Sequence, residues 1–360
     1  MEASGTEVKN EDWKIIAKKY STPDPVKSWG QIANTLIPYF TLWYLAYRAL
    51  EISIWLTIAI SLLNQFFNCR TFIIMHDCGH GSFFKSKKLR TIVGTICGIL
   101  TFTPYEQWTK SHATHHNTSG NLDKRGIGDI WTLTATEYGE MSPWNRLMYH
   151  LYRFPFVTFV LGPFYLFQIA YRVKAKGDGP LQDRNRWLTN FALVAIITTL
   201  CLTIGWKAFL AVHLPIVIVS NTLGAWLFFV QHQYEDVYWR KTEDYDYFQA
   251  CMKGCSYLKL PKLFQFGTGN IGIHHIHHLS HKIPNYNLQR AFDENDIFQD
   301  CTILGFWDSF KGIWLKLYDE NTQSMISFGE YYRRYGVRPE IFTVRAWQWV
   351  FPWFRRFQVS

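Results

Sequence analysis

Charged side chains are scarce in this sequence, making up 18% of its 360 residues, against the roughly one quarter usual in soluble domains. That shortage argues against a chain surrounded by water on every side. Cysteine pairing is wanting as well. The seven cysteines (Cys69, Cys78, Cys97, Cys201, Cys251, Cys255 and Cys301) are scattered and odd in number. Without a zinc-type CxxC pair they exclude a disulfide framework and a cysteine zinc site, and free thiols in a reducing compartment are the simpler reading. No HExxH occurs, which removes the helix that zinc hydrolases use. No apolar stretch follows the charged residues Glu2, Glu7, Lys9, Glu11 and Asp12, so a cleavable secretion signal is not expected. The ending FRRFQVS holds neither a KDEL-like address nor a prenylation signal. Basic helices and aromatic-basic strands of the kind that grip nucleic acid are missing, so the net charge of +9 calls for another partner.

What the chain does have is aromatic side chains, 18% with 16 Trp, and long apolar runs separated by polar loops. Runs at 31–49 and 52–75 each reach the roughly 20 residues that cross hydrocarbon, with only Arg48 and Glu51 marking the turn between them. The second contains Asn64, Gln65, Asn68 and Arg70, which predicts a face turned away from lipid. The run 91–102 is too short to span and reads as re-entrant or interfacial. Runs at 154–171, 187–205 and 208–230 follow. The loop 172–186 holds five basic residues, Arg172, Lys174, Lys176, Arg184 and Arg186, against two aspartates. Such loops stay cytosolic, so 154–171 is expected to lie in the interface and the last two runs to cross as a second hairpin.

The expected fold is therefore an all-α integral membrane protein. Four transmembrane helices form two hairpins, with interfacial helices and a mainly helical cytosolic cap. The organisation divides into a cytosolic segment 1–30, a membrane domain 31–231 and a cap 232–360, with both termini cytosolic. Two aromatic pieces of the cap, 304–320 and 346–357, suit the lipid surface or, equally, packing against the cap. Neither internal repeats beyond the two hairpins nor low-complexity tracts are found.

Histidine carries the chemistry. HATHH at 112–116 and HHIHH at 274–278 place His112, His115, His116 and His274, His277, His278 at i, i+3, i+4, one face of a helix, so each triplet is expected to aim its imidazoles at a common point. HDCGH adds His76 and His80 at i, i+4, and His232 follows the last apolar run. If topology brings these elements to one surface, nine imidazoles converge. One transition metal is saturated by four to six donors, so nine argue for two metals. Imidazole suits zinc, iron, copper and nickel alike. A pair that activates dioxygen would want many neutral ligands beside an apolar cavity. Asp77, Asp129 and Asp236 are candidate acceptors for imidazole N–H groups, though each could equally cap a helix or sit in a loop. His213 lies 19 positions before His232, about 28 Å along a helix, and is not expected to be a ligand. His150 is isolated, His275 falls off the ligand face, and His281 could support the third cluster.

HDCGH, HATHH and HHIHH resemble the HxxxH, HxxHH and HxxHH boxes of the membrane-bound fatty acid desaturases. With HDCGHGSFFKSKKL, SHATHHNTSGNLDKRGIGDIWTLT, QHQYEDVYW and GNIGIHHIHHLSHKIPNYNL, the likeness extends from about residue 30 to 320 and is greatest to the bacterial acyl-lipid type. The resemblance implies a di-iron centre and dioxygen-dependent insertion of a double bond into an acyl chain of a membrane lipid. It implies the ligands His76, His80, His112, His115, His116, His274, His277 and His278, with His232 matching an additional ligand of related enzymes. The family takes two electrons per turnover from a separate carrier. No flavin or nicotinamide fingerprint and no haem-binding HPGG motif occurs here, so a ferredoxin or similar acidic carrier on a basic cytosolic face is implied. His274 stands where front-end desaturases carry Gln. A bacterial inner membrane is the expected location. A hydroxylase of the same histidine-box design is the near alternative, and a histidine-rich metal transporter or sensor the distant one, although the latter would want polar groups in mid-span.

Overall fold

The computed structural model describes residues 12–336, and the aromatic segment 346–357 lies outside the described residues. Helix α1 (Asp12–Tyr20) precedes α2 (Pro25–Ala49), α3 (Ile54–His80), α4 (Lys87–Leu100) and α5 (Tyr105–Thr118). Strand β1 (Leu133–Thr134) leads into α6 (Ala135–Glu140) and α7 (Pro143–Tyr152). A π-helical turn at Val157–Leu161 continues into α8 (Gly162–Gln168), and two long helices follow, α9 (Pro180–Thr203) and α10 (Trp206–His232). Short pieces complete the chain: α11 (Tyr247–Met252), β2 (Tyr257–Lys259), α12 (Lys262–Gly267), α13 (His274–Leu279), α14 (Asn285–Asp293), β3 (Ile303–Gly305), β4 (Leu317–Asp319), β5 (Ser324–Ile326) and α15 (Phe328–Arg334).

The fold is mainly helical, with an amendment to the all-α expectation. Strands β1 and β4 pair in parallel, β4 and β5 antiparallel, and β2 and β3 in parallel. Each is two or three residues long, too short for alternation to register in a sequence.

Among the described residues, three helices, α3, α9 and α10, are long and apolar enough to cross a membrane, and a fourth span results only if α7 and the stretch Val157–Arg172, bent by 63° at their break, count as one. Helix α2 is long but is not among them: Lys27, Ser28, Gln31, Asn34, Thr35 and Arg48 dilute its apolar character. Its start is set locally, since Asp24 Oδ1 accepts from the N–H groups of Val26 and Lys27 and Pro25 opens the first turn.

Helix α3 is the central element, with α2, α4 and α10 all packed on it. Its polar stripe is buried as expected. Asn64 Nδ2 donates to Tyr39 O at 3.1 Å and Asn68 Nδ2 to Ser220 Oγ at 2.7 Å, so polar groups that lipid would reject tie α3 to α2 and α10. The helix stops at His80, because Gly81 takes φ +75°, a left-handed cap that costs glycine least. Helix α4 returns the chain beside α3, and the turn after it lays Thr103 O against Gly98, where a Cβ would stand 2.4 Å away, before α5 begins.

The segment 304–320 is not one amphipathic helix. It divides into β3, a 3₁₀ turn at Asp308–Trp314 and β4. Trp307 is 80% exposed while Leu317 and Tyr318 are buried, so its first half faces outward and its second half packs inside.

Candidate metal centre

The eight box histidines expected as ligands, together with His232, come together in two groups. His76, His80, His112, His116 and His277 form one, His115, His232, His274 and His278 the other, and within each the candidate ligand atoms lie within 4.8 Å of one another. Helices α3 and α10 deliver His76, His80 and His232 from their last turns. Helices α5 and α13 carry the triplets across these ends.

Each triplet divides between the groups, which corrects the expectation of one aiming point per triplet. On α5, His112 and His116 enter the first group and His115 the second; on α13, His274 and His278 enter the second and His277 the first. Helical geometry explains the division. Position i+4 lies about 40° round from i, whereas i+3 lies about 60° the other way. Two helices facing each other with opposite two-to-one splits thus serve two centres side by side. The groups touch where the His116 and His278 rings stack with centroids 4.0 Å apart.

The nitrogens converge as ligand tips do. His112 Nε2 and His116 Nε2 stand 3.1 Å apart, His116 Nε2 and His277 Nε2 3.1 Å, and His232 Nε2 and His274 Nε2 3.0 Å. Two imidazole nitrogens, each about 2.1 Å from one ion and at right angles, would stand about 3 Å apart. His80, His115 and His278 each present a buried Nε2 without a hydrogen-bond partner, a costly arrangement unless something else takes the lone pair. Burial first, and then the neighbouring imidazoles, hold His112, His116, His274, His277 and His278 well below the ordinary imidazole value. They are therefore neutral at physiological pH, the form that ligates metal.

Two of the three expected aspartates support the centre. Asp77 Oδ1 accepts from His76 Nδ1 at 2.9 Å, and Asp129 Oδ1 lies 2.5 Å from His115 Nδ1, fixing each ring with Nε2 inward. Asp236 does not: it is exposed on the turn after α10 and has no imidazole contact among the described residues. His213 stacks on Phe209 at 5.2 Å, away from the centre. His150 is engaged by Tyr138 Oη at 2.8 Å, and His275 donates to Phe298 O at 2.8 Å on the far face of α13. His281 packs 5.0 Å from His80, outside both groups.

Several supporting residues escaped sequence reading. Asn285 donates to Asp77 Oδ2 through both its backbone N–H, at 2.7 Å, and its Nδ2, at 2.8 Å. Gln31 Nε2 in turn donates to Asn285 Oδ1 at 3.1 Å. Lys282 Nζ donates to His80 O at 2.6 Å. Trp108 stacks on His112 at 4.3 Å; its i, i+4 spacing was the one available signal. A cavity of about 40 Å³ abuts the second group, lined by Asp129, Phe228, His232 and Gln233 among others.

A family model described as fatty acid desaturase matches residues 53–302. A fatty acid desaturase of Bacillus subtilis (strain 168) is 46% identical over 309 residues, 86% of this chain and 88% of that one. The sn-1 oleoyl-lipid 12-desaturase of Synechocystis is 26% identical over 293 residues, 77% of this chain and 78% of its own. The sn-1 acyl-lipid omega-3 desaturase (ferredoxin) of the same organism is 28% identical over 238 residues, 61% of this chain and 62% of its own.

Proposed function

The chain belongs to the fatty acid desaturase family, and we propose that it introduces a cis double bond into the acyl chain of a membrane lipid, using dioxygen and two electrons supplied from outside. The observation that carries this reading is the convergence of nine imidazoles as two adjoining groups at the ends of α3 and α10. In this reading all nine are ligands and the metals are two irons. The irons supply the oxidising power to break an unactivated C–H bond, which side chains alone lack.

The chain's own residues do the rest. Neutral imidazoles give ligands without negative charge, while Asp77 and Asp129 orient His76 and His115 from behind. Burial of eight of the nine, with His112 partly exposed, keeps water from the reacting centre. Rigid placement on helix ends fixes which methylene reaches the metals. The name of the Synechocystis omega-3 relative includes ferredoxin, which supports a ferredoxin-type carrier as the donor here. The location proposed is a bacterial inner membrane, with residues 31–231 as a membrane domain of two hairpins, α9 with α10 and, in this proposal, the stretch 31–49 of α2 with α3. Residues 1–30, the cap 232–360 and the active site then lie on the cytosolic side, as the basic loop 172–186 favours.

Fatty acid methyl esters from an expressing host, with double-bond positions located by mass spectrometry, test the reading. A new alkene at one position is expected. A hydroxy acid in its place would make the protein a hydroxylase, and unchanged lipids with exchangeable zinc would make it a metal carrier.

A further inference from the structure

A second cavity, a cleft of about 900 Å³, opens between the start of α2, the middle of α3, α12 and α14. Lys27, Arg70, Lys259 and Lys262 line it, and Asp293 is the only carboxylate among its described lining residues. Arg70 is 5% exposed. Its guanidinium meets only neutral acceptors: Nε donates to Thr35 Oγ1 at 3.1 Å, Nη2 to Asn34 Oδ1 at 2.9 Å and Nη1 to Phe266 O. A charge so buried calls for an opposite charge, and the open side of the cleft is where one could enter. On the same wall Gln31 Oε1 is buried with no donor facing it. An occupant that carries both negative charge and a hydroxyl would satisfy Arg70 and Gln31 together.

The surroundings say where such an occupant comes from. Helix α12 lies against α3, with Phe264 edge-on to Phe66 at 5.5 Å. From α12, Leu263 is 74% exposed and Phe266 43%, and on the α2 rim Val26 is 82% exposed. Lysines beside exposed apolar side chains are the pattern of a surface seated at the headgroup level of a bilayer.

We propose that this cleft binds the headgroup of an anionic glycerophospholipid drawn from the bilayer. Its phosphodiester lies among Lys27, Lys259 and Lys262, next to Arg70, and a headgroup hydroxyl donates to Gln31 Oε1. The site adjoins the histidines, since Gln31 reaches Asn285, Asn285 holds Asp77, and Asp77 meets His76. Treating the bound lipid as the substrate rests on the desaturase reading; the binding itself does not.

Purified full-length protein in neutral detergent, titrated separately with dihexanoyl-phosphatidylglycerol, dihexanoyl-phosphatidylcholine and inorganic phosphate, tests the site. Saturable binding of the phosphatidylglycerol is expected, about tenfold tighter than that of the choline lipid. The Lys259→Gln/Lys262→Gln double variant should weaken it roughly ten- to thirtyfold, from about 1 kcal/mol for each lysine near a lipid surface. Lys27→Gln is a second, separately exposed variant and should weaken it less. Equal binding by wild type and both variants, or no headgroup preference, overturns the proposal. Inorganic phosphate binding as tightly as the lipid would make this a free-anion site and also overturns it. In turnover assays the double variant should raise KM for the anionic lipid and leave kcat and iron content unchanged. If neither protein forms product while the binding difference persists, the desaturase reading fails and the headgroup site stands.

Discussion

Replacing Asp77 with Asn changes almost no volume yet disturbs the first histidine group in a way the geometry makes calculable. Asp77 is 1% exposed and accepts from His76 Nδ1 at 2.9 Å and from the N–H and Nδ2 of Asn285 at 2.7 and 2.8 Å. An asparagine has one oxygen to share between these sides. If the oxygen faces His76, the amide nitrogen opposes two donors of Asn285. Each donor left unpaired costs about 1–3 kcal/mol, hence about 2–6 kcal/mol in all. If it faces Asn285, the amide donates to His76 Nδ1, and the ring must carry its proton on Nε2, the nitrogen meant for the metal. The second arrangement costs the fold less, so the damage falls on metal binding. Losing the acceptor behind a ligating histidine costs about 10–100-fold in metal affinity, or about 1.4–2.7 kcal/mol. Iron per chain and chelator competition on purified protein measure this. Asp77→Asn should give up one iron ten to a hundred times more readily and keep the other. Asp129→Asn, which acts behind His115, should weaken the other site instead. Asp77→Asn protein that retains both irons like wild type would refute the reasoning.

Other perturbations follow from the same arrangement. His277→Ala should abolish activity and deplete the first site, while His115→Ala or His274→Ala should abolish activity through the second; each variant should still fractionate with membranes, and activity retained in any of them would remove that histidine from the ligand set. Chelation should abolish activity without lowering helix content measured by circular dichroism, since the long helices are held by packing on α3, and ferrous iron but not zinc should restore it. Asn68→Leu removes the 2.7 Å bond to Ser220 Oγ that joins α3 to α10; a loss of about 0.6–2 kcal/mol is expected from unfolding in detergent, with iron content preserved.

The histidines were legible because ligand chemistry and helical spacing leave a joint trace: i, i+3, i+4 triplets and a histidine at the end of an apolar run need no fold to be noticed. Which triplet member serves which metal was not legible, since that depends on how α5 and α13 face each other. Asp77 lies within HDCGH and Asp129 in the stretch GIGDIW after HATHH, and both meet imidazoles, whereas Asp236, four residues past His232, is exposed on the turn after α10. Asn285 and Gln31 carry no local signal; they matter only because α14 and α2 bring them to Asp77. Among the apolar runs, those in α3, α9 and α10 were read as crossing segments and are long and apolar enough to cross. The run 31–49 was also read as crossing, but α2 is not among the helices apolar enough to cross, since Asn34, Thr35 and Arg48 interrupt it. The piece 304–320 was ambiguous for a physical reason: its aromatic half lies outside and its Leu317–Tyr318 half inside, so no single face describes it.

The central claim is that two adjoining histidine-bound irons remove two hydrogens from a lipid acyl chain. Isotopically labelled dioxygen tests it most directly. Iron-loaded protein reconstituted in bilayers of saturated phospholipid, with reduced ferredoxin and labelled dioxygen, should yield a lipid with one new cis double bond and no labelled oxygen, the label leaving as water. Labelled hydroxyl in the acyl chain, or no dioxygen-dependent product from protein holding two irons, would contradict it.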